Sequence, residues 1–277
     1  MVEQARRIAA QYESRVTLRQ PSAAVLPALC GRGDPEPGGS YRKLSAKLAA
    51  SVRAGEGQDL VDLTRHVHVP ACWPDAGAVL ADTARAFRLD RTLGQPVALY
   101  LCSEKDTLRV LFEQWVGDLG IPVLVSRGYG SESYIRTVRD RARAERRPTV
   151  LVYVGDADAS GEDVMRDFIA RTGCWDRIEH VALTVVQARA AELPAAVGKA
   201  ADPRWPAFAR RHDLDPTRQV QWEVEALDPE VLHRLVLDVV DQHTDRAALA
   251  NVLAEEQRQR RALDTALQTW QDQSGEA

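Results

Sequence analysis

Three acids stand where short apolar runs end: Glu104 in LCSEKD, and Asp156 and Asp158 in VYVGDADASGED. Two carboxylates about 4 Å apart repel by roughly 4 kcal/mol at an effective dielectric near 20, so acids brought together need a proton, a cation or separation. Mg2+ is the economical solution, because it takes oxygen ligands, keeps several waters and bridges carboxylates to substrate phosphates. Glu162 and Asp163 begin the next helix and enlarge the acidic group. Each acid also has a plainer reading. Asp106 could N-cap the helix after the first run, Ser160 with Asp163 resembles a capping box, and Asp158 could sit in an Asx turn.

The elements that must position these acids alternate in type. PVALYLC (96–102), IPVLVS (121–126), TVLVYVG (149–155) and IEHVALTVV (178–186) read as strands. Between them lie helices from about 107, over about 131–145 and from Ser160 to about Thr172. Continuous apolar runs of this kind are buried on both faces, and strands alternating with helices imply βαβ units and a parallel sheet, an α/β fold. In such a sheet ligands bind beyond the carboxyl ends of the strands, where Glu104, Asp156 and Asp158 fall.

The flanks are less regular. Residues 1–13 read as a short helix, followed by a loop-like stretch with Pro21, Pro27, Pro35 and Pro37 among Gly31, Gly33, Gly38 and Gly39. From Ser40 a basic amphipathic helix carries Tyr41, Leu44, Leu48 and Val52 on one stripe and Arg42, Lys43, Lys47 and Arg53 elsewhere. It could lie against phosphates or form a small helical domain with its lysines in water. Beyond 190, the segment with Pro194, Pro203, Trp205, Pro206 and Pro216 looks irregular, and helical periodicity returns from Asp228. A last polar helix over 245–271 has an apolar stripe of Leu249, Leu253, Leu263, Leu267 and Trp270, broken around Glu255 to Arg261. That pattern suits packing on the body or a partner helix better than a sustained coiled coil.

The chain has 277 residues, which suggests a main domain with smaller appendages. No apolar run approaches the roughly 18–20 residues of a membrane span. MVEQARRIAAQYES has no apolar signal core, and Cys30, Cys72, Cys102 and Cys174 are dispersed, so a reducing cytoplasm is expected. A net charge of −4 argues against coating nucleic acid by bulk electrostatics. Any such contact needs a local patch, and Arg127, Arg136, Arg139, Arg141, Arg143, Arg146 and Arg147 supply one, with a solvated helix face as its plainer reading. No ATP-cradling GxxxxGK[ST] or dinucleotide GxGxxG motif is present, although RGYGSES could offer backbone N–H groups to a phosphate. His66, His68 and Cys72 in RHVHVPAC invite a zinc reading, but a fourth ligand at a usual spacing is missing.

Glu at the end of one strand with DxD at the end of a later one resembles the Toprim domain of topoisomerases, primases and some nucleases. QPVALYLCSEKDTLRVLF, VLVSRGYGSES and VLVYVGDADASGEDV are similar to the bacterial relatives of the topoisomerase VI A subunit. VTLRQ, SYRKLSAKLAASVRAG and DLTR upstream, and VALTVVQ and QWEVEALDPEVLHRLV downstream, extend the likeness over roughly 16–240. The resemblance implies a helical, winged-helix-like DNA-binding region over 1–90, a Toprim-like domain over 91–240 and a C-terminal helix over 241–277. It also implies Mg2+ or Mn2+ held by Glu104, Asp156 and Asp158, with Glu104 as metal-associated or acid-base carboxylate. Lys105 and Arg127 would face the phosphate, and Glu162, Glu223 and Glu225 are additional acid candidates. Arg19, Arg42, Lys43, Lys47 and Arg127 would contact DNA. A second copy of the chain and an ATPase are the protein partners expected.

One departure bears on the reaction. The family cuts DNA with a tyrosine just after a TxRQ-like stretch, whereas TLRQ continues here as Pro21, Ser22, Ala23 and Ala24. Tyr12 and Tyr41 are nearby in sequence, but Tyr41 matches a different position and reads as a packing residue. The expectation is therefore metal-dependent DNA cleavage by activated water. The alternative is a non-catalytic DNA-binding or assembly subunit working with a partner ATPase.

Overall fold

The computed structural model describes residues 69–198 and 201–275, together with Ala46, Lys47, Ala50 and Ala54. The expected helix over 1–13, the loop after it, and Arg19, Tyr41, Arg42, Lys43, His66 and His68 lie outside the described residues; Lys47 is helical and exposed.

Strands β1 (Ala98–Ser103), β2 (Val123–Val125), β3 (Thr149–Val154) and β4 (Arg177–Ala182) form one parallel sheet in the order β2-β1-β3-β4. Every residue of the two central strands is buried, which is why both read as unbroken apolar runs. Their side chains alternate between two cores. Leu99, Leu101, Val150, Val152 and Val154 meet Leu108, Leu111 and Phe112 of α2 (Asp106–Val116) and Leu232, Val236 and Val240 of α7 (Pro229–His243). Ala98, Tyr100, Cys102, Leu151 and Tyr153 meet Ile135, Val138 and Ala142 of α3 (Glu132–Arg143) and Phe168 of α4 (Ala159–Thr172). The period of two along each strand thus produces helices on both faces of the sheet. Each fully buried Leu or Phe contributes about 1.5–3 kcal/mol, so these layers hold the strand ends in place.

The fourth run differs from its expectation. IEHVALTVV is not one strand buried on both faces: β4 is an edge strand buried only at Val181 and Ala182. The chain then turns at Thr184 into α5 (Val185–Ala190). Thr184 Oγ1 accepts from Gln187 N at 3.1 Å while Gln187 Oε1 accepts from Thr184 N at 2.9 Å. That reciprocal cap satisfies two helix-start donors and outweighs the β preference of the valines.

The proline-rich segment after 190 is also more ordered than it reads. β5 (Ala196–Val197) pairs antiparallel with β6 (Val220–Gln221), and α6 (Trp205–Arg211) lies between them. Trp205 Nε1 donates to Pro216 O at 2.9 Å and Trp222 Nε1 to Leu193 O at 3.2 Å, so both indoles tie loop carbonyls. Ala157 and Trp222 exchange backbone hydrogen bonds of 2.9 and 3.2 Å. This bridge carries the WEVEAL stretch onto the GDAD loop.

The long helix α8 (Arg246–Gly275) packs on α1 (Ala76–Ala86), with Trp270 over Gly77. Glu256, inside the polar interruption of its stripe, is buried. It accepts from Arg91 at 2.8 and 3.1 Å, from Leu89 N at 3.1 Å and from Arg260 at 3.0 Å. The Arg91 hydrogen bond, opposed by burial and helped by the Leu89 N–H, holds the carboxyl at about 2 against an ordinary 4.5. A depressed carboxyl stabilises the fold above its unfolded value, so this attachment should weaken as pH falls from about 4.5 to about 2. Glu256→Gln is expected to remove that acid-sensitive part, which thermal midpoints of both proteins across the interval would reveal. Among the described residues no helix is long and apolar enough to cross a membrane.

Candidate functional site

β1 and β3 are neighbours with Ser103 opposite Val154, so Glu104 leaves one strand beside Gly155 and Asp156 leaving the other. The loop after β3 is tightly seated. A Cβ at Gly155 would lie 2.8 Å from Tyr153 Cε1, and one at Gly161 would lie 2.7 Å from Asp156 O. A side chain at Gly161 would press on the Asp156 backbone, and one at Gly155 on the Tyr153 ring.

The helix starts differ from the plainer readings. Lys105, not Asp106, occupies the N-cap position of α2, while Asp106 lies in the first turn. Ser160 and Asp163 do not form the capping box of α4; Asp158 caps it, with Oδ1 accepting from Gly161 N at 2.6 Å. A cap must precede the helical turn with extended backbone, and Asp158 does so at φ −145 and ψ 171.

Lys105 is the hub. Its Nζ lies 2.9 Å from Asp156 Oδ2, 2.9 Å from Glu225 Oε2 and 3.9 Å from Glu223 Oε2. Glu225 Oε1 accepts from Thr107 Oγ1 at 2.9 Å, and Asp156 Oδ1 accepts from Val224 N at 2.9 Å. Burial works against the ammonium, but Asp156, Glu225 and Glu223 outweigh it and hold its pKa above the ordinary lysine value. For Asp156 burial wins: its pKa is raised although Lys105 and the Val224 N–H pull it down. Carboxylates outnumber ammonium here, so Asp156 would be further stabilised as an anion by an additional cation.

The other expected residues divide. Glu104 lies in the loop after β1, half-buried, with its carbonyl accepting from Arg127 N at 3.2 Å. Its charge and that of Asp156 both act on the Tyr153 hydroxyl, so the two acids share the neighbourhood of that group. Glu162 turns away to α6, meeting Arg211 Nε and His212 Nε2 at 3.0 Å each. Burial alone would raise its pKa, yet these two partners lower it. Glu223 is exposed, whereas Glu225 is buried at the centre. Arg127 lies two residues beyond β2 with φ 48 and grips Asp106 twice, Nε to Oδ2 and Nη2 to Oδ1 both at 2.8 Å. Its guanidinium is otherwise exposed. Within the arginine patch, Arg147 is taken by Thr92, Gln95 and Glu145.

Three contributors carry no catalytic signal in the sequence: Thr107, Ser126 and Tyr153. Among the described residues the Tyr153 and Ser126 hydroxyls are buried and make no well-formed hydrogen bond, with Ser126 acting only weakly on the Tyr153 hydroxyl. Burial raises the Tyr153 pKa strongly, with Cys102 and Glu104 adding to it. A buried hydroxyl without a well-formed hydrogen bond costs about 1–3 kcal/mol. Tyr153→Phe is therefore expected to stabilise the protein by about 1 kcal/mol, seen as a higher denaturant midpoint with an unchanged slope.

A hard divalent cation suits the donors in kind, because Glu104, Asp156 and Asp158 offer only oxygen and burial disfavours the Asp156 anion despite Lys105. Among the described residues no three acid, histidine or cysteine side chains are already converged as a ligand set. Lys105 is the cation that Asp156 and Glu225 share. No protein-family model matches the chain, and no curated protein or solved structure is significantly similar to it.

Proposed function

We propose that the rim beyond β1 and β3 is a Toprim-type site for Mg2+- or Mn2+-dependent cleavage of DNA phosphodiesters, working without a tyrosyl intermediate. The observation that carries this reading is the departure of Glu104 and Asp156 from adjacent parallel strands, with Asp156 entering a group whose carboxylates outnumber its one ammonium. Glu104, Asp156 and Asp158 would hold the metal, which when bound lowers the pKa of a ligated water and neutralises charge on the leaving oxygen. Lys105 fixes Asp156 and Glu225 and keeps the loops after β1 and β3 together with the WEVEAL stretch. Arg127 presents a planar fork at the open edge and would exchange Asp106 for two phosphate oxygens, a geometry carboxylate and phosphate share.

Lys105 also favours a second reading. An ammonium already shared by Asp156 and Glu225 suits a charge-balanced rim in a non-catalytic DNA-binding or assembly subunit that acts with a partner ATPase. Incubation of supercoiled DNA with the full chain and Mg2+ or Mn2+ separates the two. The first reading expects nicks that Glu104→Gln and Asp156→Asn abolish; equal nicking by the variants, or salt-sensitive binding with no nicks, would overturn it.

A further inference from the structure

β4 ends the sheet, and among the described residues no strand pairs with its far side. Alternate residues of such an edge turn their N–H and C=O groups away from the sheet, where they form a template for another strand. The edge is open to solvent. Ile178 is 40% exposed, and the side chains of Arg177 and Glu179 are 65% and 36% exposed. Within the chain these two charges are weakly engaged. Arg177 Nη1 lies 4.0 Å from Glu179 Oε1, which also has His243 Nε2 at 3.5 Å on the α7 side. Neither contact is a close hydrogen bond.

We propose that this edge is the contact between two copies of the chain, joined antiparallel about Ile178 into an eight-stranded sheet. The order of the charges selects that occupant. Only alternate residues face their main-chain groups outward, so in a pair of identical edges the two-fold axis falls on a residue and not between two. With Arg177 on the axis, arginine meets arginine; with Glu179 on it, glutamate meets glutamate. With Ile178 on it, each Arg177 stands opposite a Glu179 of the other copy, and the two exposed isoleucines cover one another. Opposite charges directly across a strand pair attract and like charges repel, so one register is favoured and both of its neighbours are opposed. Charges on an edge ordinarily keep strands apart, but this order makes the edge complementary to itself. A surface that matches itself under a two-fold axis is what a second copy supplies. Because the two β4 strands then run in opposite directions, the acid rims open at opposite ends of the joined sheet, each complete within one copy. The inference stands apart from the phosphodiester reading.

Sedimentation equilibrium of the full chain from about 1 to about 200 µM, at about 0.1 M salt, is expected to show a monomer passing to a dimer in the micromolar range that suits a short edge contact. Arg177→Glu and Glu179→Arg each place like charges in both cross-strand pairs and should weaken the dimer by at least about tenfold. Two mixtures of charge carry the register. Equal amounts of the two single variants oppose glutamate to arginine at both positions and should recover the dimer, as should the double variant Arg177→Glu/Glu179→Arg. Circular dichroism establishes that each variant is folded, and the concentration dependence of the unaltered chain tests the contact even where one is not. A chain that stays monomeric up to about 200 µM would overturn the proposal. So would a dimer that neither single variant weakens, since its contact would lie elsewhere. A folded double variant that associates no more tightly than the single ones would overturn the register about Ile178.

Discussion

Lys105→Met is expected to destabilise the protein by about 3–5 kcal/mol, because it leaves two buried carboxylates without their shared cation. The Glu225 side chain is 1% exposed and that of Asp156 14%, so water cannot replace the ammonium at Glu225 and does so only in part at Asp156. The loss has a sign in pH. Asp156 is already raised above 3.8 in the folded protein, chiefly by burial, so its contribution to stability is greatest below that value and falls as pH rises through the folded pKa. Removing Lys105 raises the folded pKa further, and the gap between variant and parent should widen from about pH 4 toward neutrality. Adding Glu225→Gln to Lys105→Met should recover part of the loss, since it removes one of the stranded charges. Denaturant titrations at several pH values would measure both effects. An unchanged midpoint in Lys105→Met would mean that the ammonium does not hold these strand ends together.

Asp156→Asn should have the largest effect on activity, lowering metal-dependent cleavage by about 10²–10³-fold, the scale of losing one group that stabilises developing charge. The substitution is close to isosteric. Its amide oxygen can still accept from Val224 N, now 2.9 Å from Asp156 Oδ1; the amide NH2 then faces Lys105 Nζ as a second donor, and the ammonium moves off it while keeping Glu225. The fold is therefore expected to survive while the negative charge is lost. Glu104→Gln should behave similarly. Glu223→Gln serves as the contrast, because Glu223 is exposed and 3.9 Å from Lys105, and its loss should change the rate by no more than about threefold. Rates that fall equally in all three variants would point to general loss of charge instead of specific acids at the rim.

The sheet and the position of its acids were legible because they follow from local pattern. The runs around Leu99 to Cys102 and Val150 to Val154 are short, continuous and apolar, and their alternation supplies both cores. What could not be read depends on distant partners or on competition between local preferences. IEHVALTVV has strand composition throughout, yet the Thr184–Gln187 cap starts a helix in its second half. Glu256 looks like a solvated helix residue until Arg91, far away in sequence, is placed against it. Glu225 and Glu223 look alike in WEVEAL, and only the Ala157–Trp222 bridge decides which one meets Lys105 and Thr107 at close range. A charged residue between Val224 and Ala226 was the available hint, because an acid in an apolar stretch needs a partner.

The central claim is that this rim takes a divalent cation on Glu104, Asp156 and Asp158. Anomalous diffraction from crystals of the full chain soaked in Mn2+ tests it most directly. The account predicts a peak bounded by those three carboxylates, with Lys105 still on Glu225, and its disappearance in Asp156→Asn. A well-diffracting crystal at saturating Mn2+ with no peak there, and Lys105 still bridging Asp156 and Glu225, would contradict it.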